Sequence, residues 1–242
     1  MTNPVFFIDP SRLVKGQVRI DGDEGRHAAA VKRIRLGEIV DVCDGHGSRA
    51  TGEVSHVGKD FIDVSVSVIE HEAEQSPRII AVQALAKGDR AELAIEIATE
   101  VGVDAIIPWK AEHCIAKWDD TGKTLNKWQR IARESSKQSR RSYIPDVSSV
   151  LTTSQLIETL QVCDSVFVLH ESATESLAHV AVPQSGTLAV ITGPEGGISP
   201  TELEAFAQAG FCIVRMGNTV MRTSTAGAIA VGALTVKTAR WQ

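Results

Sequence analysis

The sequence predicts an α/β protein in two parts, a small β-barrel followed by a larger domain with a mostly parallel sheet. Three observations carry that expectation. Short Val- and Ile-rich runs fill residues 5–69, broken by turn residues about every ten positions, the rhythm of a compact all-β unit. Composition turns polar over Glu70–Pro77, which marks a linker. Beyond it, apolar runs of strand length alternate with helical segments, the pattern of helices covering both faces of a parallel sheet.

In the front part, Val5–Ile8, Gln17–Ile20, Glu38–Cys43, Ala50–Val57 and Phe61–Ile69 are the expected strands. Gly22, Gly37, Gly45-His46-Gly47 and Gly58 punctuate them. In the last strand Phe61, Asp63, Ser65 and Ser67 alternate with Ile62, Val64, Val66 and Val68, as a strand with one wet face requires. One helix is expected over Glu24–Ile34, ahead of the Gly37 turn. In the second part the expected order is strand Arg78–Ala86, helix Asp89–Val101, strand Ala105–Trp109 and helix Leu125–Ser139. Helix Ser154–Leu160, strands Ser165–Leu169 and Thr187–Thr192, helix Pro200–Ala209, strand Cys212–Arg215 and helix Thr225–Lys237 complete it.

At ~150 residues per domain, 242 residues make between one and two domains. An apolar fraction of 43% and a charged fraction of 23% exclude a mainly disordered chain. The longest apolar or small run, Ala226 to Leu234, is half the ~18 residues of a membrane-spanning helix. The opening residues show neither a basic leader nor a cleavage pattern, so a cytoplasmic protein is expected. Cys43, Cys114, Cys163 and Cys212 are far apart with no metal-ligand spacing, which points to ordinary buried thiols.

Net charge is -5, which argues against a protein that coats nucleic acid indiscriminately. The charge is unevenly placed. Lys123, Lys127, Arg130, Arg133, Lys137, Arg140 and Arg141 surround one acid, Glu134, giving a local +6 and leaving -11 for the rest. On a helix the bases from Lys127 onward fall within an arc of roughly 140°, opposite Trp128, Ile131, Ala132 and Ser135. Solvated faces normally interleave acids, so phosphate contact is the better reading of this stripe. A weaker basic group (Arg12, Lys15, Arg19, Arg26, Lys32, Arg33, Arg35) is diluted by Asp21, Asp23 and Glu24. Nucleic-acid contact is assigned to Arg12, Arg33, Lys127, Arg130, Arg133, Lys137, Arg140 and Arg141. Glu92, Glu96 and Glu100 recur every four residues and read as a solvated stripe.

Two loops carry chemistry. Thr192-Gly193-Pro194-Glu195-Gly196-Gly197-Ile198-Ser199-Pro200 joins an apolar strand to a helix that Ser199, Pro200 and Glu202 start well. Such strand-to-helix loops are where open α/β sheets bind ligands. The spacing matches no phosphate-binding fingerprint, and Glu195 would repel a pyrophosphate, so a cationic or zwitterionic ligand suits it better. The second loop, Met216 to Gly227, leads into a helix of small residues and strands Arg222 among apolar and hydroxyl neighbours. A guanidinium there is either paired structurally or aimed at an anionic group. A third strand end, Leu169-His170-Glu171, falls on the same sheet edge; its lone histidine reads more readily as a satisfied strand-end residue than as a base.

Three pieces together resemble the SPOUT superfamily of RNA methyltransferases and, within it, the RsmE family, which methylates N3 of a uridine in 16S ribosomal RNA. They are Gly193-Pro194-Glu195-Gly196-Gly197, the loop Met216-Gly217…Val220-Met221-Arg222-Thr223…Thr225-Ala226, and Lys127-Trp128-Gln129-Arg130-Ile131 with Lys137-Gln138. The similarity reaches the front of the chain through Phe6…Pro10, His27…Arg33 and Asp44-Gly45. It implies a PUA-like β-barrel over residues 1–72 that helps hold RNA. It implies a SPOUT methyltransferase domain over residues 73–242, whose last segment threads a loop to form a trefoil knot. The implied cofactor is S-adenosylmethionine, held bent by Leu169, Gly193, Gly197, Met216, Gly217, Val220, Met221 and Ala226. The implied partners are 16S rRNA or the assembled small subunit and a second copy of the chain, with no metal and no membrane. Many members have Arg-Thr-Glu-Thr where this chain has Arg222-Thr223-Ser224-Thr225. Ser224 keeps the capacity to cap the last helix but cannot act as a carboxylate base.

The substrate dictates the chemistry. Uracil N3 becomes a nucleophile only on losing its proton, and the charge then spreads to the flanking carbonyl oxygens. Arg222 is therefore expected as the catalytic group that stabilises the anion, with Glu195, His170 or water as candidates for the proton. The competing readings are another ribosomal or transfer RNA nucleotide as target, and a non-catalytic RNA-binding or assembly module.

Overall fold

A computed structural model describes residues 3–119 and 121–241. Two compact units emerge: Met1–Glu74 with Ser136–Ile144, and Gln75–Ser135 with Pro145–Gln242.

The first unit is built from β1 (Val5–Phe7), β2 (Gly16–Ile20), α1 (Gly22–Arg26), β3 (Ile39–Cys43), β4 (Ser48–Val57), β5 (Ile62–Val66) and β6 (Glu70–His71). The strand order is β1-β3-β4-β5-β2, with β6 on β4, and only β1–β3 is parallel. Phe6 from one end of that path and Val18 and Ile20 from the other share a core with Val40, Val42, Val54, Ile62 and Val64. The sheet therefore wraps around a single apolar interior, as a barrel does.

Several boundaries differ from expectation for identifiable reasons. Glu70 and His71, expected in a linker, pair with Arg49 and Ser48. The helix expected at Glu24–Ile34 is α1 followed by a wider π-helical turn, His27–Val31. Arg33, at φ 54°, ends it by turning into the left-handed region. On the outer face Arg19 holds Asp63 through two hydrogen bonds of 2.8 and 3.0 Å, which lowers the carboxyl pKa below the usual range.

The returning segment is woven into this unit. The Ser142 hydroxyl donates to Glu72 Oε2 (2.6 Å), the Gly47 amide to the Ser142 carbonyl (3.2 Å), and the Ile144 amide to the Gly45 carbonyl (3.0 Å). Lys137, expected in the exposed basic stripe, is instead buried, with its ammonium 2.9 and 3.1 Å from the Glu24 carboxylate oxygens. Helical periodicity places Lys137 among the cations, but it cannot show that this end of the helix belongs to the unit that holds Glu24.

The second unit comprises β7 (Arg78–Ala84), α2 (Asp89–Val101), β8 (Ala105–Lys110), α3 (Lys123–Gln138, whose last turn is in the first unit), β9 (Asp146–Val147), β10 (Leu151–Thr152) and α4 (Thr153–Leu160). It continues with β11 (Ser165–Leu169), β12 (Glu175–Ser176), β13 (Thr187–Thr192), α5 (Pro200–Gln208), β14 (Cys212–Arg215) and α6 (Thr223–Thr235). The sheet runs β10-β8-β7-β13-β11-β14-β12, with β9 on β8, and every pairing is parallel. Alternate residues feed opposite cores. Ile79, Ala81, Ile106, Phe167, Val190 and Val214 meet Ile95, Trp128, Ala132, Val231 and Leu234 from α2, α3 and α6. Val82, Ile107, Trp109, Val166, Val168 and Ile191 meet Leu156, Leu160 and Phe206 from α4 and α5. Burial on both faces is why these strands are continuously apolar instead of alternating. Among the described residues no helix is long and apolar enough to cross a membrane.

The end of the chain is clamped by Arg240, whose side chain is only 2% exposed. Its guanidinium donates to Asp104 Oδ2 (2.6 Å), the Pro77 carbonyl (2.6 Å) and the Gly102 carbonyl (2.5 Å). Arg240→Ala removes the guanidinium from Asp104 and from the Pro77 and Gly102 carbonyls at once. Urea unfolding should show a loss of about 3 kcal/mol or more.

Candidate functional site

The carboxyl ends of β11, β13 and β14 open onto a cavity of about 420 Å³. Leu169 lines it from β11, Gly193 and Gly197 from the glycine-rich loop, and Met216, Gly217, Val220 and Met221 from the loop after β14. Arg222 and Ala226 line it from the start of α6. All nine residues singled out for catalysis or cofactor binding are thus brought together around one space.

Local chemistry explains the shape of the first loop. Ser199 caps α5: its hydroxyl accepts the Glu202 amide and Glu202 Oε2 accepts the Ser199 amide, both at 3.2 Å, with Pro200 at the first helical position. The buried Glu202 also accepts the Glu112 amide (2.9 Å) and the Thr153 hydroxyl (2.8 Å) through Oε1. Gly197 sits at φ +77°, and a Cβ on Gly193 would come within 2.6 Å of Ile198 Cγ1, so neither position accommodates a side chain without a shift. The Glu195 carboxylate accepts the Lys87 amide (3.2 Å) and lies 3.9 Å from the Arg90 guanidinium.

The second loop is docked on the first by Thr223. Its hydroxyl donates to the Gly193 carbonyl (2.6 Å) and accepts from Gln83 Nε2 (3.0 Å), which also reaches the Ala84 carbonyl (3.0 Å). A Cβ on Gly227 would lie 2.6 Å from Thr192 Oγ1, so α6 approaches β13 at backbone distance. The cap position of α6 is Arg222, whose carbonyl accepts the Thr225 and Ala226 amides at 3.0 Å. Ser224 is therefore not the cap; it is buried within the first helical turn. The Arg222 side chain is exposed, and no hydrogen bond or ion pair engages it among the described residues.

Other side chains at the cavity carried weaker signals in the sequence. Arg90 and Arg215 line it with no motif around them, whereas Thr192 and Ile198 belong to the glycine-rich loop itself. Gln83, which holds Thr223, is a lone amide in an apolar strand whose partner the sequence does not reveal. His170 lines the cavity, but its Nδ1 accepts the Ser172 amide (3.3 Å), which puts the proton of the neutral ring on Nε2. No cysteine lines the cavity. Burial raises all four thiols, Cys43 to about 11, so none is a ready nucleophile. Among the described residues no cluster of His, Cys, Asp or Glu is arranged to hold a metal ion.

The basic residues separate into distinct environments. Lys127 pairs with Glu92 of α2, so the acidic stripe of that helix is partly matched by α3. Arg130 is exposed, Arg133 and Arg141 are half-buried, and Lys137 is inside. In the first unit Arg12 bonds Asp21 (2.9 Å), while Arg33 and Arg140 are exposed at positive φ.

The cavity offers apolar walls, main-chain polar groups freed by glycine, and carboxylates at Glu171 and Glu195. That is a fit for a flat heterocycle attached to a cationic, zwitterionic tail.

Comparison with known proteins agrees. A family model described as an RNA methyltransferase domain matches residues 73–235, and one described as an RNA methyltransferase PUA domain matches residues 20–67. Ribosomal RNA small subunit methyltransferase E of Mycobacterium bovis is 43% identical over 100% of this chain and 94% of its own length. The Bacillus subtilis protein of the same name is 30% identical, covering 96% of each. The solved structure of ribosomal RNA small subunit methyltransferase E from Neisseria gonorrhoeae bound to S-adenosyl methionine aligns with a TM-score of 0.88 at 27% identity over 98% of both chains. A Legionella pneumophila methyltransferase in complex with the same cofactor aligns at 0.90 and 26% identity, over 98% of this chain and 99% of that one. With apolar strand, glycine-rich loop and Arg222 loop all converging on one cavity, the chain belongs to the ribosomal RNA small subunit methyltransferase E family.

Proposed function

We propose that this chain transfers a methyl group from S-adenosylmethionine to N3 of one uridine in the 16S RNA of the small ribosomal subunit. The observation that carries the reading is the convergence of Arg222 with the two glycine-bearing loops on one cavity. Bound there, S-adenosylmethionine supplies an electrophilic methyl group on a sulfonium centre. Leu169, Met216, Val220 and Ala226 would give the cofactor apolar walls, and Gly193, Gly197, Gly217 and Met221 would offer it main-chain hydrogen-bonding groups. Glu195 and Glu171 place negative charge beside the cationic tail.

Arg222 acts on the nucleobase. Its guanidinium, at the positive end of the α6 dipole, stabilises the negative charge that spreads onto the uracil oxygens when N3 loses its proton. His170 Nδ1 is engaged by Ser172, while the Lys87 and Arg90 contacts on Glu195 both use Oε1, which leaves its Oε2 or solvent to take the proton. Methylation at uracil C5 would call for a thiolate to add at C6; the thiols, raised by burial and none of them in the cavity lining, support a ring-nitrogen target instead.

Arg12, Arg33, Lys127, Arg130, Arg133, Arg140 and Arg141 supply the cationic contacts to the RNA backbone. The Arg12–Asp21 and Lys127–Glu92 pairs are exposed and weak, so phosphate can replace the acid. Lys137 serves the fold. Placement of β14 between the earlier strands β11 and β12 supports a threaded, knotted chain path. The protein works in the cytoplasm as a homodimer: Ile229 on α6 is 48% exposed and Val236, just past its end, 62% exposed, an apolar surface that a second copy would cover.

Two outcomes test the site. Arg222→Ala should lower kcat by roughly 10²–10³ while S-adenosylmethionine affinity, read by calorimetry, stays unchanged. Thr223→Val should weaken cofactor binding instead, because it unties the Gly193 carbonyl and leaves the buried Gln83 amide short of an acceptor, a loss of about 1–3 kcal/mol. For the target, mass mapping of ribosomal RNA from cells lacking the protein should show loss of a single methyluridine in the small-subunit RNA; an unchanged map would refute the assignment.

A further inference from the structure

We infer that His113, outside the cavity, is a positioning residue that holds the glycine-rich loop in its cofactor-binding shape. The inference rests on the cavity being the S-adenosylmethionine site. Residues Ala111 to Cys114 form a tight turn after β8, closed by the Cys114 amide donating to the Ala111 carbonyl at 3.1 Å. Glu202 fixes this turn through the Glu112 amide, at 2.9 Å, while the same carboxylate completes the cap of α5. The turn is thus anchored to the helix that the glycine-rich loop leads into.

From that base His113 reaches back to the loop. Its Nδ1 lies 3.1 Å from the Gly196 carbonyl and 3.2 Å from the Gly197 carbonyl. Both partners can only accept, so Nδ1 must carry a hydrogen and donate to them. This fixes the tautomer of the neutral ring with its lone pair on Nε2. Gly196 shows how close the approach is: a Cβ there would lie 3.0 Å from His113 Cβ and 3.2 Å from the His113 carbonyl oxygen. Gly197, one of the two carbonyl partners, lines the cavity and holds φ +77°. With the two carbonyls turned toward His113, the peptide units on either side of Gly197 have a set orientation before the ligand arrives, and a preorganised loop binds more tightly than one that must order on binding.

Calorimetric titration of the full chain with S-adenosylmethionine tests this, together with ¹⁵N spectra of the imidazoles. His113→Ala should weaken binding about tenfold, equivalent to ~1.4 kcal/mol, with the thermal midpoint and the KM for RNA unchanged. His113→Asn, whose side-chain amide can donate from nearly the same place as Nδ1, should restore affinity to within about threefold. The wild-type spectrum should show the Nδ1–H form. Unchanged affinity in His113→Ala, absence of rescue by Asn, or an Nε2–H ring in the wild type each overturns the role of His113 alone. Failure of the wild type to bind S-adenosylmethionine overturns the cavity reading and this inference with it.

Discussion

A single threonine hydroxyl joins the two halves of the candidate site. Thr223 accepts from Gln83 and donates to the Gly193 carbonyl, so one side chain ties the end of β7, the glycine-rich loop and the first turn of α6. A parallel sheet can place strand ends side by side, but the loops that leave them diverge unless something draws them together. Here the attraction is polar and buried, where an unmade hydrogen bond is expensive, and the lack of a Cβ at Gly227 lets the helix come near enough for the bond to form. Arg222 is the residue just before Thr223. Fixing the hydroxyl therefore also fixes where the Arg222 side chain begins, while the residue stays exposed at the cavity.

Charge follows a similar division between scaffold and surface. The two ion pairs with the most buried cations, Lys137–Glu24 and Arg240–Asp104, fasten the returning segment and the chain end. Neither cation is available to RNA. The exposed pairs, such as Arg12–Asp21, contribute little to stability, so exchanging an acid for a phosphate there costs little. A net charge of -5 says nothing about which cations are committed. Only burial separates them.

Much of the second unit was legible in the sequence because its elements obey strong local rules. Asp89–Val101, Ser165–Leu169, Thr187–Thr192 and Cys212–Arg215 have the expected bounds, each being either an amphipathic stretch closed by glycine or an apolar run buried on both faces. The two-residue strands Asp146–Val147, Leu151–Thr152 and Glu175–Ser176 escaped notice, since two residues have no periodicity. The His27–Val31 turn escaped for a different reason: a π-turn has the composition of a helix and differs only in which carbonyl each amide reaches. At the site, the glycines and Arg222 were visible from motif and context. Gln83 and His113 were not, because their partners lie 140 and 83 residues away and a hydrogen bond of that span leaves no local pattern.

The same distinction bears on Ser224. Read locally, a serine just after Arg-Thr at a helix start is a natural cap. The helix starts two residues earlier than that reading requires, because Thr223 is drawn inward to Gly193 and Arg222 takes the cap position with φ -67° and ψ 147°. Ser224 then falls within the first turn and is buried. A tertiary hydrogen bond has overridden a local preference by two residues. With that shift Arg222 lines the cavity, while Ser224 is buried in the first turn and does not line it.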